Sequence, residues 1–181
     1  MPRGKLLNQP IMGNALNKPG DAGGTDMIHE LGSLAEVWDY ANGHQIWRYV
    51  YNDEASTGFV QGNVLAYDTA TSPNLGDVIV APVSTPRNRV AGVAQTAIAA
   101  GSYGWVLVKG LGEVKAGTGT IDADEGIYVD KTDAGTAMEE GVAVTDSNTT
   151  ITAAHLAGPI GYATENAAAA ALATCNLDCP L

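Results

Sequence analysis

Of the chain's 181 residues only two are cysteine, three histidine and nine lysine or arginine, and each scarcity closes off a class of chemistry. Cys175 and Cys179 flank Asn-Leu-Asp near the C-terminus, and one such pair falls short of a four-ligand zinc site. In a reducing cytosol they read as free thiols; paired, they would form a disulfide closing so short a loop that its effect would be small. His29, His44 and His155 are scattered, without the His-Glu-x-x-His spacing of a zinc enzyme, so no metal ligand is expected. Twenty acidic residues give a formal net charge of −11. Such a surface repels a phosphate backbone, which excludes free nucleic acid as a partner. No stretch approaches the roughly 20 apolar residues of a membrane-spanning helix, and the start lacks the unbroken apolar core of a secretion signal. The chain is therefore expected to be soluble, with no membrane partner.

What is present is unevenly distributed. Residues 1–109 carry 7 basic and 9 acidic side chains, residues 110–181 carry 2 and 11. Residues 1–28 contain Gly4, Pro10, Gly13, Pro19, Gly20, Gly23 and Gly24 and no sustained period, which predicts an extended arm ahead of a β domain over 29–181. The arm holds Arg3, Lys5 and Lys18 with the apolar pairs Leu6-Leu7 and Ile11-Met12, spaced like anchors on a segment that orders when it binds. These seven residues are the candidate partner-binding set.

From His29 the pattern changes. Glu30 to Tyr40 fits a helical turn or an irregular strand, and Asn42-Gly43 signals a turn. Over His44 to Asn52 the alternation puts Trp47, Tyr49 and Tyr51 on one face and Ile46, Arg48 and Val50 on the other, as in a strand packed on both sides. Further strands are predicted at Gly62–Tyr67, Asp77–Ala81, Val90–Ile98, Gly104–Lys109, Gly112–Ala116, Gly126–Val129, Val142–Thr145, Ile151–Ala154, Gly158–Ala163 and Leu172–Leu177. Turn residues at 72–74, 85–86, 117–119, 133–135 and 146–148 separate them. Many short strands with little helical periodicity indicate a mainly β fold, an antiparallel β-barrel or β-sandwich with an extended N-terminal arm. Trp105, opening a strand after the Gly101-Ser-Tyr-Gly104 turn, is expected to be buried. One helical exception is Ala167–Ala171, which Asn166 would cap; the competing reading is a connector.

None of the motifs that carry chemistry is complete. Asp122-Ala-Asp-Glu-Gly126 resembles a calcium loop only superficially, lacking the twelve-residue pattern, and reads as a solvated acidic turn. Asp133-Ala-Gly135 has no matching second aspartate, and Ser102 lacks the flanking glycines of a nucleophile elbow. Lys109-Gly-Leu-Gly112 lacks the third glycine of a dinucleotide fingerprint, and no phosphate-binding loop is present. Asn148-Thr-Thr150 matches a glycosylation sequon by a common triplet. Trp47, Tyr49 and Tyr51 resemble a base-stacking platform, but core packing or a subunit interface suits the acidic balance better. No catalytic residue, cofactor or metal site is expected, and the chain reads as a non-enzyme.

Five patterns carry a resemblance over residues 31–181. They are Leu31-Gly with Trp47-Arg-Tyr-Val50; Gly62-Asn-Val64; Val90-Ala-Gly-Val-Ala94 leading to Tyr103-Gly-Trp105 and Lys109-Gly110; Gly158 to Tyr162; and Leu177-Asp-Cys-Pro180. In these the chain resembles the head decoration, or capsid cement, proteins of tailed bacteriophages. The resemblance implies a viral structural protein bound to the outer surface of a capsid, stabilising the shell across joints between major capsid subunits, often as a trimer or dimer. It implies the major capsid protein and further copies of itself as partners, with Arg3, Lys5, Leu6, Leu7, Ile11, Met12 and Lys18 as capsid-binding residues. The location it implies is the virion surface, after assembly in the host bacterial cytoplasm. The rival readings are a tail, needle or head-fibre protein of the same kind of particle, and a virion hydrolase. The hydrolase would require carboxylates such as Asp122 and Asp124 to converge with distant groups.

Overall fold

The computed structural model describes residues 19–69, 76–82, 85–130, 134–139 and 158–181. The predicted strands Val142–Thr145 and Ile151–Ala154 lie outside them. The fold is mainly β. The strands are β1 (Leu34–Asp39), β2 (Gly43–Asn52), β3 (Val64–Tyr67), β4 (Asp77–Val80), β5 (Val90–Ala94), β6 (Tyr103–Lys115), β7 (Gly126–Val129), β8 (Ala137–Glu139), β9 (Gly161–Ala163) and β10 (Leu172–Asp178), with one 3-10 turn at Arg87–Arg89.

The long strands β2 and β6 organise the topology. Along one edge of β2, β1 pairs as far as Arg48, and β4 takes up the same edge in parallel from Tyr51. The other edge pairs antiparallel with the first half of β6. Because β4 pairs with β3, β3 with β5 and β5 with β6, the ladder returns to β2 and closes a ring of five strands. Every strand of this ring contributes to one apolar cluster: Val50, Leu65, Val78, Ala91, Ala94 and Val106, plugged by Phe59 and Ile98. Each such side chain, fully buried, contributes about 1.5–3 kcal/mol if valine-sized or larger. Closure requires the strands to bend, and two bulges supply the bend, one between Leu65 and Ala66 against β5 and one between Ile46 and Trp47 against β6.

The second half of β6 starts another group. It pairs with β10, then β9, β7 and β8 follow, and a parallel bridge from Ala137 to Ala116 leads back to the end of β6. Along β10 alternation is strict: Ala173, Cys175 and Leu177 are buried between exposed Leu172, Asn176 and Asp178. These side chains join Val114, Ile127, Val129, Ile160 and Ala163 in the larger core.

Several elements differ from their predicted form. Gly104–Lys109 and Gly112–Ala116, expected as two strands, form the single strand β6, because Gly110 and Gly112 both pair within the β10 ladder. Gly110 sits at φ +105°, where a side-chain Cβ would come within 2.5 Å of the His44 carbonyl; here glycine permits a close crossing and does not mark a break. β5 ends at Ala94, four residues short of the predicted Ile98. The alternative of a helix at Ala167–Ala171 is not what forms. Ala167 exchanges backbone hydrogen bonds with Ile121, Ala170 takes φ +61° and donates to Gly117, and the Asn166 side chain accepts from the Ala123 N–H. Five residues are too few to repay helix nucleation against a ready partner strand. The short strand β8 has no β-branched residue to announce it, and exists because β7 presents an open edge.

Candidate functional site

The aromatic face of β2 meets Tyr103 and Trp105 of β6. Tyr49 lies 5.1 Å from Trp105 and 6.1 Å from Tyr103, and Tyr51 lies 4.9 Å from Tyr103. This cluster is covered by the chain's own N-terminal side. His29 packs edge-on to Tyr49 at 5.0 Å and beside Trp105 at 5.1 Å, while the Tyr49 hydroxyl donates to the Asp26 carbonyl and accepts from the Ile28 N–H. Burial pushes that phenol's pKa up. Gly24 exchanges two backbone hydrogen bonds with Tyr103, and Gly23 donates to Ala97. Tyr49 and Trp105 are therefore core, closed to a stacking base, while Tyr51 and Tyr103 are half-buried at the edge of the cluster.

The opposite face of β2 buries a cation. Arg48, only 4 % exposed, donates to the carbonyls of Ala91 and Pro180 and lies over the Tyr67 ring at 5.4 Å. Burial lowers its pKa, opposed by Tyr67. Beside it Arg87 and Lys109 converge on Asp178, at 3.0 and 3.4 Å. Three cations thus hold the C-terminal residues 178–180, while Arg89 on the same turn as Arg87 donates instead to the Thr69 hydroxyl at 2.8 Å. Alternation places Arg48 on the same face of the strand as Ile46 and Val50, but nothing in the local sequence names the distant carbonyls of Ala91 and Pro180 that it ties.

Among the described residues, the hairpin of β1 and β2 carries the most exposed aromatic side chains. Trp38 is 80 % exposed and Tyr40 fully so, with the Trp38 ring 4.9 Å from His44 and His44 Nε2 3.3 Å from Glu36. The inner face, Ala35 and Val37, packs on the core. Between that face and β6 lies a cleft of about 330 Å³, bounded by Val37, Asn42, Gln45, Gln95, Glu113 and Pro19 among others. Two of its amides are already committed: Gln45 donates to the Leu111 carbonyl and accepts from Trp47 Nε1, and Gln95 binds the Glu113 backbone through both its oxygen and its nitrogen. They hold the walls together.

The motifs with chemical overtones do not converge. Asp122, Asp124 and Glu125 are exposed on a turn, and Glu165 nearby accepts from the Thr174 hydroxyl and N–H, which lowers its pKa. Among the described residues no three histidine, cysteine or acidic side chains are grouped to hold a metal ion. Ser102 is buried in its turn. Cys175 and Cys179 are free and buried, and burial pushes both thiols up to about 12. Arg3, Lys5, Leu6, Leu7, Ile11, Met12 and Lys18 lie outside the described residues, as do His155, Asp133 and Asn148.

No protein-family model matches the chain, and no curated protein matches it. Among solved structures it is similar to the head fiber gp8.5 N base of bacteriophage phi29, with a TM-score of 0.47 and 17% identity over 74% of this chain and 94% of that one.

Proposed function

We propose that this chain is a non-enzymatic structural protein of a tailed-phage virion, attached to the outer surface of the head. The observation that carries the reading is where the family-like patterns fall. Trp47-Arg-Tyr-Val50, Gly62-Asn-Val64, Val90 to Ala94 and Tyr103-Gly-Trp105 fall on or directly ahead of β2, β3, β5 and β6, four of the five strands of the ring, so most of the residues that resemble head decoration proteins build the scaffold. A scaffold of this kind, with an acidic body and a basic anchor-bearing segment at residues 1–18, suits a subunit that works by repeated modest contacts. Many copies on one shell gain strength through multivalency. In this reading Arg3, Lys5, Leu6, Leu7, Ile11, Met12 and Lys18 make the contact with capsid or neighbouring subunits.

Within the class two roles compete: a cement subunit spanning capsid joints, and the base of a head fibre. The test is to add purified protein to particles lacking it. A cement subunit binds in stoichiometric numbers over the shell and raises the temperature at which DNA is lost, because a ligand of the intact lattice stabilises it by mass action. A fibre base binds at few sites and leaves heat resistance unchanged. Failure to bind heads at all overturns both.

A further inference from the structure

Strand β1 pairs with β2 and with no other strand among the described residues. Exposed edges are usually guarded by charged side chains, proline or a bulge. The edge Leu34-Ala-Glu-Val-Trp-Asp39 has no proline, bulge or cation, and its charged residues, Glu36 and Asp39, are acidic and repel an acidic strand but not a basic one; Glu36 and the exposed indole of Trp38 stand on its solvent face. Charge is sharply divided along the chain. Residues 1–18 hold Arg3, Lys5 and Lys18 and no acidic residue, leaving 20 acidic and 6 basic residues in 19–181, a net −14 against +3. The chain enters the described body at Pro19, which borders the cleft walled by Val37 and Asn42 of the same hairpin.

We propose that the N-terminal segment of a second copy of this chain adds to β1 as an antiparallel strand. One register matches four side-chain pairs. With Lys5 opposite Glu36, Leu7 falls opposite Leu34 and Arg3 opposite Trp38, giving an ion pair, an apolar pair and a guanidinium over an indole on one face. On the other face Leu6 meets Ala35, which already packs on the core. Main-chain hydrogen bonds along the open edge supply affinity, and these side-chain pairs supply specificity. Pairing β1 with its own copy is disfavoured: the register that sets Leu34 opposite Trp38 sets Glu36 opposite Glu36, and bodies of net −14 repel. The acid-free segment is the part of the chain that another copy attracts. This inference concerns the purified chain and stands independently of attachment to heads.

The experiment uses full-length chains. Leu7→Cys and Leu34→Cys variants are prepared separately, mixed and mildly oxidised; the native thiols are buried and do not compete. Cross-linked dimers on mixing, absent when Leu7→Cys is mixed with a Tyr162→Cys control, support the pairing. No cross-link overturns it, and so does a cross-link that forms only within single chains carrying both substitutions. In sedimentation, Glu36→Lys weakens self-association about tenfold, and Lys5→Glu added to it restores association. A mass unchanged by Glu36→Lys, or no restoration, overturns the register.

Discussion

Arg48 donates from Nη1 to the carbonyl of Ala91, 43 residues further along the chain, at 2.8 Å. The bond joins β2 to β5 across the five-stranded ring, and the same guanidinium reaches Pro180 at 3.0 Å, so one side chain ties the ring to the last residues of the chain. Arg48→Ala leaves two carbonyls without their charged donor and opens a void beside Tyr67. The expected loss of stability is about 2–4 kcal/mol, read from the urea midpoint. Arg48→Met restores packing but not the donors, and falls between.

Trp105 is 1 % exposed and touches both Tyr49 and His29. Trp105→Ala is expected to cost about 3–5 kcal/mol, with the aromatic cluster and the segment over it loosened together. Urea denaturation followed by circular dichroism measures it; an unchanged midpoint would contradict the burial.

The thiols give a pH dependence of definite sign. Both have pKa values pushed up to about 12, against about 8.5 for the unfolded chain. Between those values the unfolded state has lost protons that the folded state keeps, so their contribution is fully present below about pH 8.5 and falls as pH rises, by about 1.4 kcal/mol per pH unit for each thiol. Replacing both by alanine flattens that part of the stability curve. In the native protein at pH 8 neither thiol should react with a disulfide reagent, and both should react in denaturant.

Of the three tryptophans, Trp38 is the exposed one, while Trp47 and Trp105 are buried. Iodide should quench about a third of the emission in a monomeric preparation, and Trp38→Phe should abolish that fraction without moving the unfolding midpoint by more than about 0.5 kcal/mol. Quenching that persists in Trp38→Phe would place a second indole in solvent.

Much of the ladder was legible because alternation and turn residues are local. His44 to Asn52, Gly126 to Val129 and Leu172 to Leu177 announce β2, β7 and β10 nearly to the residue: β2 through its alternate aromatic residues Trp47, Tyr49 and Tyr51, β7 through Ile-Tyr-Val and β10 through strict alternation. The same local logic misread Gly110 and Gly112 as an interruption and Ala167–Ala171 as a possible helix. A glycine's role depends on which strand crosses it, and five alanine-rich residues follow whichever partner lies beside them, here Ile121 and Gly117. β8 was invisible, because its only reason to be extended is the edge of β7.

The candidate site divides in the same way. The sequence by itself determined the mainly β class, the burial of Trp105, the missing catalytic motifs and the opposition of a basic N-terminal segment to an acidic body, all properties of composition and short-range pattern. Only the tertiary structure decided that β2, β4, β3, β5 and β6 close on themselves, that Tyr49 is roofed by residues 26–29, that Arg48 is an internal tie and that Trp38 is exposed on an edge with no further strand among the described residues. Those outcomes rest on contacts between residues tens of positions apart. Alternation tells a side chain which face it takes, and the partner that arrives from elsewhere decides whether that face is inside or out.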